Sequence, residues 1–209
     1  MTNPLNNLSI YEMSLEYARR GFQVIPLHSI DADGNCTCGD KCTSPAKHPI
    51  ASLVPNGLKN ASSDPNILAN WFEEKNRNIG IVTGKDSGLV VLDVDYKNGG
   101  SKSFDDLLLT FSLERVKEIV ATISVQSGNG EHYYYQYTPL KNSTSKLGQG
   151  LDIRGDGGYV VAAPSIHANG KTYEISALDD LAQFPKEWLP ALNAPKQTVN
   201  QSNGSNGNG

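Results

Sequence analysis

A short segment that is apolar at its start and acidic at its end constrains this chain more than any other part of its sequence. It runs from Gly88 to Tyr96, and the aliphatic residues 89–92 precede Asp93 and Asp95. A short run of branched aliphatic residues predicts a buried β-strand. Because side chains alternate across a strand, we expect Asp93 and Asp95 to point to the same face.

Two adjacent carboxylates on one strand face create an electrostatic conflict, because they repel each other and are costly to bury without a partner. A divalent cation bound between Asp93 and Asp95 would remove that conflict. Carboxylate oxygens suit Mg²⁺ or Mn²⁺, so the pair predicts a metal site of that kind. The alternative is that both aspartates merely end the strand and cap the loop that follows it.

The composition indicates a soluble globular protein without a membrane segment. The 209 residues suffice for one domain with a sizeable core or for two small ones. No apolar run approaches the roughly 20 residues that span a bilayer. Residues 1–10 lack the apolar stretch of a secretory signal, so we expect a cytoplasmic protein. The net charge of −4 weighs against a protein that coats nucleic acid, but a local basic groove could still hold DNA weakly.

Strand and helix patterns alternate along the chain, which predicts a mixed α/β or α+β domain over residues 9–192. We expect helices over 9–20, 66–75 and 103–120, and strands over 22–27, 78–84, 123–126, 132–137, 158–163 and 172–175. Residues 193–209 are almost wholly polar and predict a flexible tail or linker. Such an ending suggests a domain that continues into something else or was cut there.

A glycine-rich loop between two expected strands is the second candidate site. In this loop Ser127, Gly128 and Gly130 precede His132, which opens the next strand. Glycines let the backbone approach a ligand, and consecutive N–H groups can bind an anion. The His132 ring could donate to a phosphate oxygen. The alternative is a plain hairpin turn with Asn129 and Gly130 at its corner, although a turn needs neither Ser127 nor His132.

A third candidate lies in the segment 151–158, where Asp152 could complete a carboxylate triad with Asp93 and Asp95. Three carboxylates that hold two metal ions suit in-line nucleotidyl transfer. If the segment is extended, Arg154 lies on the same face as Asp152 and could meet a phosphate or a carboxylate. The alternative is a turn-rich loop with an Asp–Arg ion pair.

A compact group of metal-ligand residues is the fourth candidate. All three cysteines, Cys36, Cys38 and Cys42, lie close to His48 in the sequence. Three thiolates and one imidazole form a tetrahedral ligand set for structural Zn²⁺. An odd number of cysteines in a cytoplasmic protein disfavours disulfides. We therefore expect a zinc-stapled loop over 31–49, with unrelated free thiols as the alternative.

Two polar residues follow the expected strand 158–163. Ser165 and His167 lie just beyond its end, near where a ligand could bind. His28 also follows a strand, and we expect it to be structural.

Taken in order, these motifs resemble the prim-pol domain of the archaeo-eukaryotic primase superfamily. This domain is the bifunctional primase/polymerase module of plasmids, phages and integrated elements. The resemblance covers most of the chain and rests on residues 17–22, 47–49, 78–84, 92–95, 127–132, 151–155, 163–167 and 188–189.

The resemblance implies an RRM-like catalytic palm of mixed or antiparallel strands with flanking helices. It implies that Asp93, Asp95 and Asp152 are catalytic and bind two Mg²⁺ or Mn²⁺ ions. The residues implied in nucleotide binding are Ser127, Gly128, Gly130, His132, Arg154, Ser165 and His167. A 3′-hydroxyl would attack the α-phosphate and release pyrophosphate.

The implied partners are nucleoside triphosphates, a single-stranded or primed DNA template, and a helicase module C-terminal to this domain in a longer protein. Three other functions fit parts of the sequence. A two-metal nuclease or phosphodiesterase would use the same carboxylates without a triphosphate site. A non-catalytic zinc-bearing DNA-binding module would use the carboxylates only structurally. A degenerate replication initiator would bind DNA and recruit a helicase.

Overall fold

The computed structural model of the chain describes residues 3–39, 41–177 and 180–194. Within these ranges the fold is mixed α+β, with eight strands and five α-helices. The strands are β1 (Val24–Leu27), β2 (Asn78–Val82), β3 (Leu89–Asp95), β4 (Ser124–Gln126), β5 (Gly130–Gln136), β6 (Leu151–Arg154), β7 (Tyr159–Ala162) and β8 (Glu174–Ala177). The helices are α1 (Ile10–Arg19), α2 (Pro65–Phe72), α3 (Gly100–Leu108), α4 (Leu113–Val120) and α5 (Leu189–Asn193). The tail expected over 193–209 lies outside the described residues from residue 195 onward.

The strands form two antiparallel sheets. One has three strands in the order β1-β2-β7, and the other has five in the order β6-β3-β5-β4-β8. Strand β3 therefore lies between β5 and β6, in the interior of its sheet, which suits its continuous apolar sequence. None of the helices in the described part of the chain is long and apolar enough to cross a membrane.

The alternation along β3 divides its side chains between two apolar clusters. Leu89 and Val91 belong to the cluster that joins the two sheets with α1 and α2, whereas the aliphatic residues at 90, 92 and 94 pack with α3 and α4. Asp93 and Asp95 continue the spacing of Leu89 and Val91. Both carboxylates therefore lie on the face of the five-stranded sheet that carries the first cluster.

The helix predicted over 103–120 is wrong as a single element, because the structure has two helices there. The side chain of Ser112 accepts a hydrogen bond from the Arg115 N–H and caps α4. A serine that bonds the backbone in this way starts a new helix instead of continuing the previous one. The helix predicted over 66–75 begins at Pro65, after its cap Asp64, and already ends at Phe72.

Asn78, the first residue of β2, is fully buried and connects three parts of the chain. Its Nδ2 donates to the carbonyl oxygens of Ala46 and Ile166, at 2.9 and 2.8 Å. Its Oδ1 accepts from the N–H of Ile166 and from the hydroxyl of Ser29. All four hydrogen-bonding positions of the amide are thus used.

Replacing Asn78 with alanine should therefore destabilise the fold. The change leaves two carbonyl groups, one N–H and one hydroxyl in the protein interior without their hydrogen-bond partner. We expect it to lower the free energy of unfolding by about 3 kcal/mol. Urea unfolding measures the loss, with Asn70→Ala on an exposed position of α2 as the matched control. Equal unfolding midpoints for Asn78→Ala and Asn70→Ala would contradict this role.

Candidate active site

The register of three neighbouring strands brings the predicted carboxylates together. In β3, Asp93 lies opposite His132 of β5 on one side and opposite Asp152 of β6 on the other. Asp95 follows two residues further along the same strand face. Residues far apart in the sequence thus form one polar patch at the end of an apolar sheet face.

An open cavity of about 400 Å³ lies over this patch. Eight of the residues predicted from the sequence line it: Asp93, Asp95, Ser127, Gly130, His132, Asp152, Arg154 and His167. The sequence analysis assigned no ligand-binding role to several other residues of the wall, which include Thr43, Ser44, Pro45, Lys47, Lys97, Asn129 and Tyr173.

Two of the predicted nucleotide-binding residues lie outside this lining. Ser165 is fully buried, and its hydroxyl accepts from the Ile79 N–H at 2.9 Å. That contact fixes the segment after β7 to β2. Gly128 packs beneath His167, whose ring a Cβ at this position would strike. Both contacts therefore help to position the segment that carries His167, which lines the cavity.

A single guanidinium bridges two of the three carboxylates. Nη2 of Arg154 lies 3.1 Å from Oδ2 of Asp93 and 3.1 Å from Oδ2 of Asp152. The extended segment predicted to carry Asp152 and Arg154 on one face is strand β6. Asp95 instead accepts from the N–H of Lys97 and from the side-chain amide of Asn98.

The carboxylates also influence one another. Burial raises the pKa of the Asp152 carboxyl, and the negative charges of Asp93 and Asp95 raise it as well. The N–H of Ser145 and the Arg154 guanidinium lower this pKa without outweighing the effect of burial. A cluster with this excess of negative charge and oxygen donors fits a divalent cation.

Burial favours the neutral form of the His132 ring. Burial lowers its pKa, the Asp93 carboxylate opposes that shift, and the charges of Arg154 and Lys47 add to it. Its Nε2 lies 3.5 Å from Oδ1 of Asp93. Its Nδ1 is buried and has no hydrogen-bond partner among the described residues. Buried ring nitrogens without a partner are uncommon in folded proteins.

The loop from Ser127 to His132 is a hairpin turn and a wall of the cavity at the same time. The Ser127 N–H donates to the Gly130 carbonyl at 2.8 Å and closes the turn. A Cβ at Gly130 would strike the carbonyl of Val94, so close packing of β3 and β5 already requires this glycine. The hairpin and the ligand interpretations of this loop are therefore compatible.

His167 faces the same loop from the segment after β7. Its Nδ1 accepts from the Asn169 N–H at 3.1 Å, so a neutral ring carries its proton on Nε2. Burial lowers its pKa, and the charges of Lys47 and Lys97 lower it further. The proton on Nε2 is thus available to a hydrogen-bond acceptor near Asn129, whose amide lies 3.5 Å away.

The predicted zinc ligands converge on one point. The ligand atoms of Cys36, Cys38, Cys42 and His48 all lie within 4.8 Å of one another. Burial raises the pKa of the Cys36 thiol, but hydrogen bonds from Ala46 and the other two cysteines outweigh it and lower the pKa overall. A Cys₃His set with a favoured thiolate fits tetrahedral Zn²⁺.

The chain as a whole matches a known family. Residues 14–188 match the Prim-Pol family model, described as bifunctional DNA primase/polymerase, N-terminal. The chain therefore belongs to the Prim-Pol family. This family implies a nucleotidyltransferase-type enzyme with a primase/polymerase role in DNA replication, which acts on a DNA template and nucleotides. No curated protein matches the chain.

Proposed function

We propose that this chain is a primase-polymerase that synthesises primers and extends them on single-stranded DNA by two-metal nucleotidyl transfer. The observation that carries the proposal is the register that sets Asp93 between His132 and Asp152, with Asp95 on the same face. In this proposal the five-stranded sheet serves as an RRM-like palm, and the cavity of about 400 Å³ receives the nucleotide.

Asp93, Asp95 and Asp152 would hold the two divalent ions. Their oxygen donors fit Mg²⁺ or Mn²⁺, and their mutual repulsion favours a cation among them. Bound there, the ions would lower the pKa of the attacking 3′-hydroxyl and offset negative charge on the phosphate oxygens.

The remaining groups of the cavity would bind and orient the triphosphate. The His132 ring has an N–H to donate in either protonation state, and the burial that lowers its pKa favours an uncharged ring, which would not repel ions bound by the carboxylates. The Arg154 guanidinium pairs with Asp93 and Asp152 and offsets part of their negative charge, and it suits a phosphate oxygen equally well. As the 3′-oxygen forms its bond to the α-phosphorus, the bond from that phosphorus to the pyrophosphate oxygen would break, and the hydroxyl proton would pass to water.

A second cavity supports a path for the template strand. It has a volume of about 670 Å³, lies between residues 139–146 and the end of α5, and shares Arg154 with the first cavity. Lys141 and Lys146 also line it. The Lys146 ammonium donates to the carbonyls of Leu192 and Ala194, whereas Lys141 is exposed. Basic groups beside a nucleotide site suit a DNA backbone.

If the template follows this path, Lys141→Glu should weaken binding of single-stranded DNA by about tenfold, and less at high salt. Fluorescence anisotropy of a labelled oligonucleotide at two salt concentrations measures this effect. Lys59→Glu, at an exposed lysine that lines neither cavity, is the matched control. Identical affinities for the two variants would contradict the proposed path.

The proposed function itself is tested by incorporation of labelled nucleotides on a defined template. We expect synthesis that follows the template sequence, requires Mg²⁺ or Mn²⁺, and occurs with and without a primer. Cleavage of the DNA without synthesis would instead indicate a two-metal nuclease. DNA binding with neither reaction would indicate a non-catalytic module.

A further inference from the structure

The segment between the last cysteine and the histidine of the Cys₃His cluster forms one wall of the cavity over the carboxylates. Thr43, Ser44, Pro45 and Lys47 all line that cavity. Ser44 and Lys47 also line an adjoining cavity of about 280 Å³, together with Asp93, His132 and Arg154. The zinc-ligand loop and the carboxylate site are therefore one continuous structure.

The backbone around Lys47 is fixed from several sides. The Lys47 N–H donates to the Ser44 carbonyl, and the Tyr159 hydroxyl of β7 donates to the Lys47 carbonyl at 2.9 Å. Nδ1 of His48 also lies 3.0 Å from the Ser44 carbonyl oxygen. This network ties Lys47 both to a zinc ligand and to the three-stranded sheet.

The residue before Lys47 is held in a conformation that is unfavourable for a non-glycine residue. Ala46 is buried and has a φ of 61°. Its N–H donates to Sγ of Cys36 at 3.5 Å, and its carbonyl accepts from the buried amide of Asn78. Such a left-handed turn persists only where its surroundings enforce it. Here the surroundings are a zinc ligand and the start of β2.

The side chain of Lys47 differs in its pairing from Arg154 and Lys146, whereas Lys97, on the same cavity wall, likewise forms no ion pair with a carboxylate of the described residues. Arg154 pairs with two carboxylates, and Lys146 donates to the end of α5. Lys47 is exposed and forms no ion pair with any carboxylate in the described part of the chain. Its charge nevertheless lowers the pKa of both His132 and His167. An unpaired ammonium at the wall of the cavity favours an anionic ligand.

We propose that Lys47 binds the triphosphate of the incoming nucleotide, and that the Cys₃His cluster positions it there. This inference rests on the proposed function and adds a phosphate-binding residue to it. The loop over 31–49 then forms part of the nucleotide site, in addition to being ordered by the metal. Because an ammonium acts as a point charge, its effect grows with the number of phosphate charges on the ligand.

Equilibrium binding of a nucleoside triphosphate and the matching monophosphate tests this inference in the full chain. We expect Lys47→Ala to weaken triphosphate binding by about tenfold and monophosphate binding by less than about threefold. Lys47→Arg should bind the triphosphate almost as tightly as the unmodified protein, because the charge remains. Lys41→Ala is the matched control, because it removes the same charge from the same loop at a position that lines neither cavity. It should bind both nucleotides as tightly as the unmodified protein.

Replacement of a proposed zinc ligand tests whether the Cys₃His cluster positions Lys47. Cys42→Ser should lower the zinc content measured by mass spectrometry and weaken triphosphate binding about as much as Lys47→Ala. Lys47→Ala itself should retain its zinc and its urea-unfolding midpoint. Unchanged triphosphate binding in Lys47→Ala, or equal losses for the monophosphate and the triphosphate, would overturn the inference. Absence of triphosphate binding by the unmodified chain would overturn the proposed function together with it.

Discussion

Replacing Asp93 with asparagine is expected to reduce nucleotide incorporation by at least about 1,000-fold. Asp93 lies at the centre of the site, opposite His132 and Asp152 and in contact with Arg154. Asparagine keeps the shape of the side chain but removes its charge, and an amide is a poor substitute for a carboxylate on a divalent ion. The rate of primer extension at saturating nucleotide measures the loss.

Asp86→Asn is the matched control for this prediction, because Asp86 lies in an exposed turn between β2 and β3. It should extend primers at the rate of the unmodified protein. Asp93→Asn should unfold in urea at a similar midpoint, since its carboxylate is only partly buried. An Asp93→Asn variant that keeps more than about a tenth of the normal rate would contradict a metal-binding role.

Replacing Cys36 with serine is expected to have the largest effect on stability. Cys36 is one of four converging ligands, and its sulfur also accepts from the N–H of Ala46. Its loss should abolish stoichiometric zinc binding and lower the free energy of unfolding by at least about 3 kcal/mol. Mass spectrometry of the native protein and urea unfolding with and without a chelator measure the two effects.

Asn35→Ala, at the exposed neighbour of Cys36, is the matched control and should retain its zinc. The chelator should destabilise the unmodified protein and the Asn35 variant but leave Cys36→Ser almost unchanged. If the chelator has no effect on the unmodified protein, the cluster does not hold a structural zinc ion.

The features that the sequence predicts well are those that depend on short spacing. The period of two along a strand is enough to put Asp93 and Asp95 on one face. The four residues of the Cys₃His cluster lie within one short segment, so their clustering needs little knowledge of the rest of the fold. The pairing of Asp93 with His132 and Asp152 does not follow from short spacing, because strand order depends on contacts between distant segments.

The residues that sequence reasoning missed depend on such distant contacts. Lys47 could point in any direction from a polar loop. The left-handed turn at Ala46 and the hydroxyl of Tyr159 determine where its backbone lies. Asn78 begins an apolar strand, and nothing in the sequence shows that its amide connects the zinc loop to Ile166.

The break in the helix expected over 103–120 falls at Ser112. The apolar spacing continues through Phe111 and Leu113, but Ser112 uses its side chain to start a new helix. A serine in the middle of a helical pattern is compatible with either outcome. Packing of α3 and α4 on the second apolar cluster selects the break.

The most direct test is a crystal structure with Mn²⁺ and a non-hydrolysable nucleoside triphosphate, in which anomalous scattering locates the manganese. We predict manganese bound by Asp93, Asp95 and Asp152, with the triphosphate in contact with His132 and Lys47. Manganese elsewhere, or a nucleotide bound away from this cavity while Arg154 still bridges Asp93 and Asp152, would contradict the proposed nucleotidyl-transfer site.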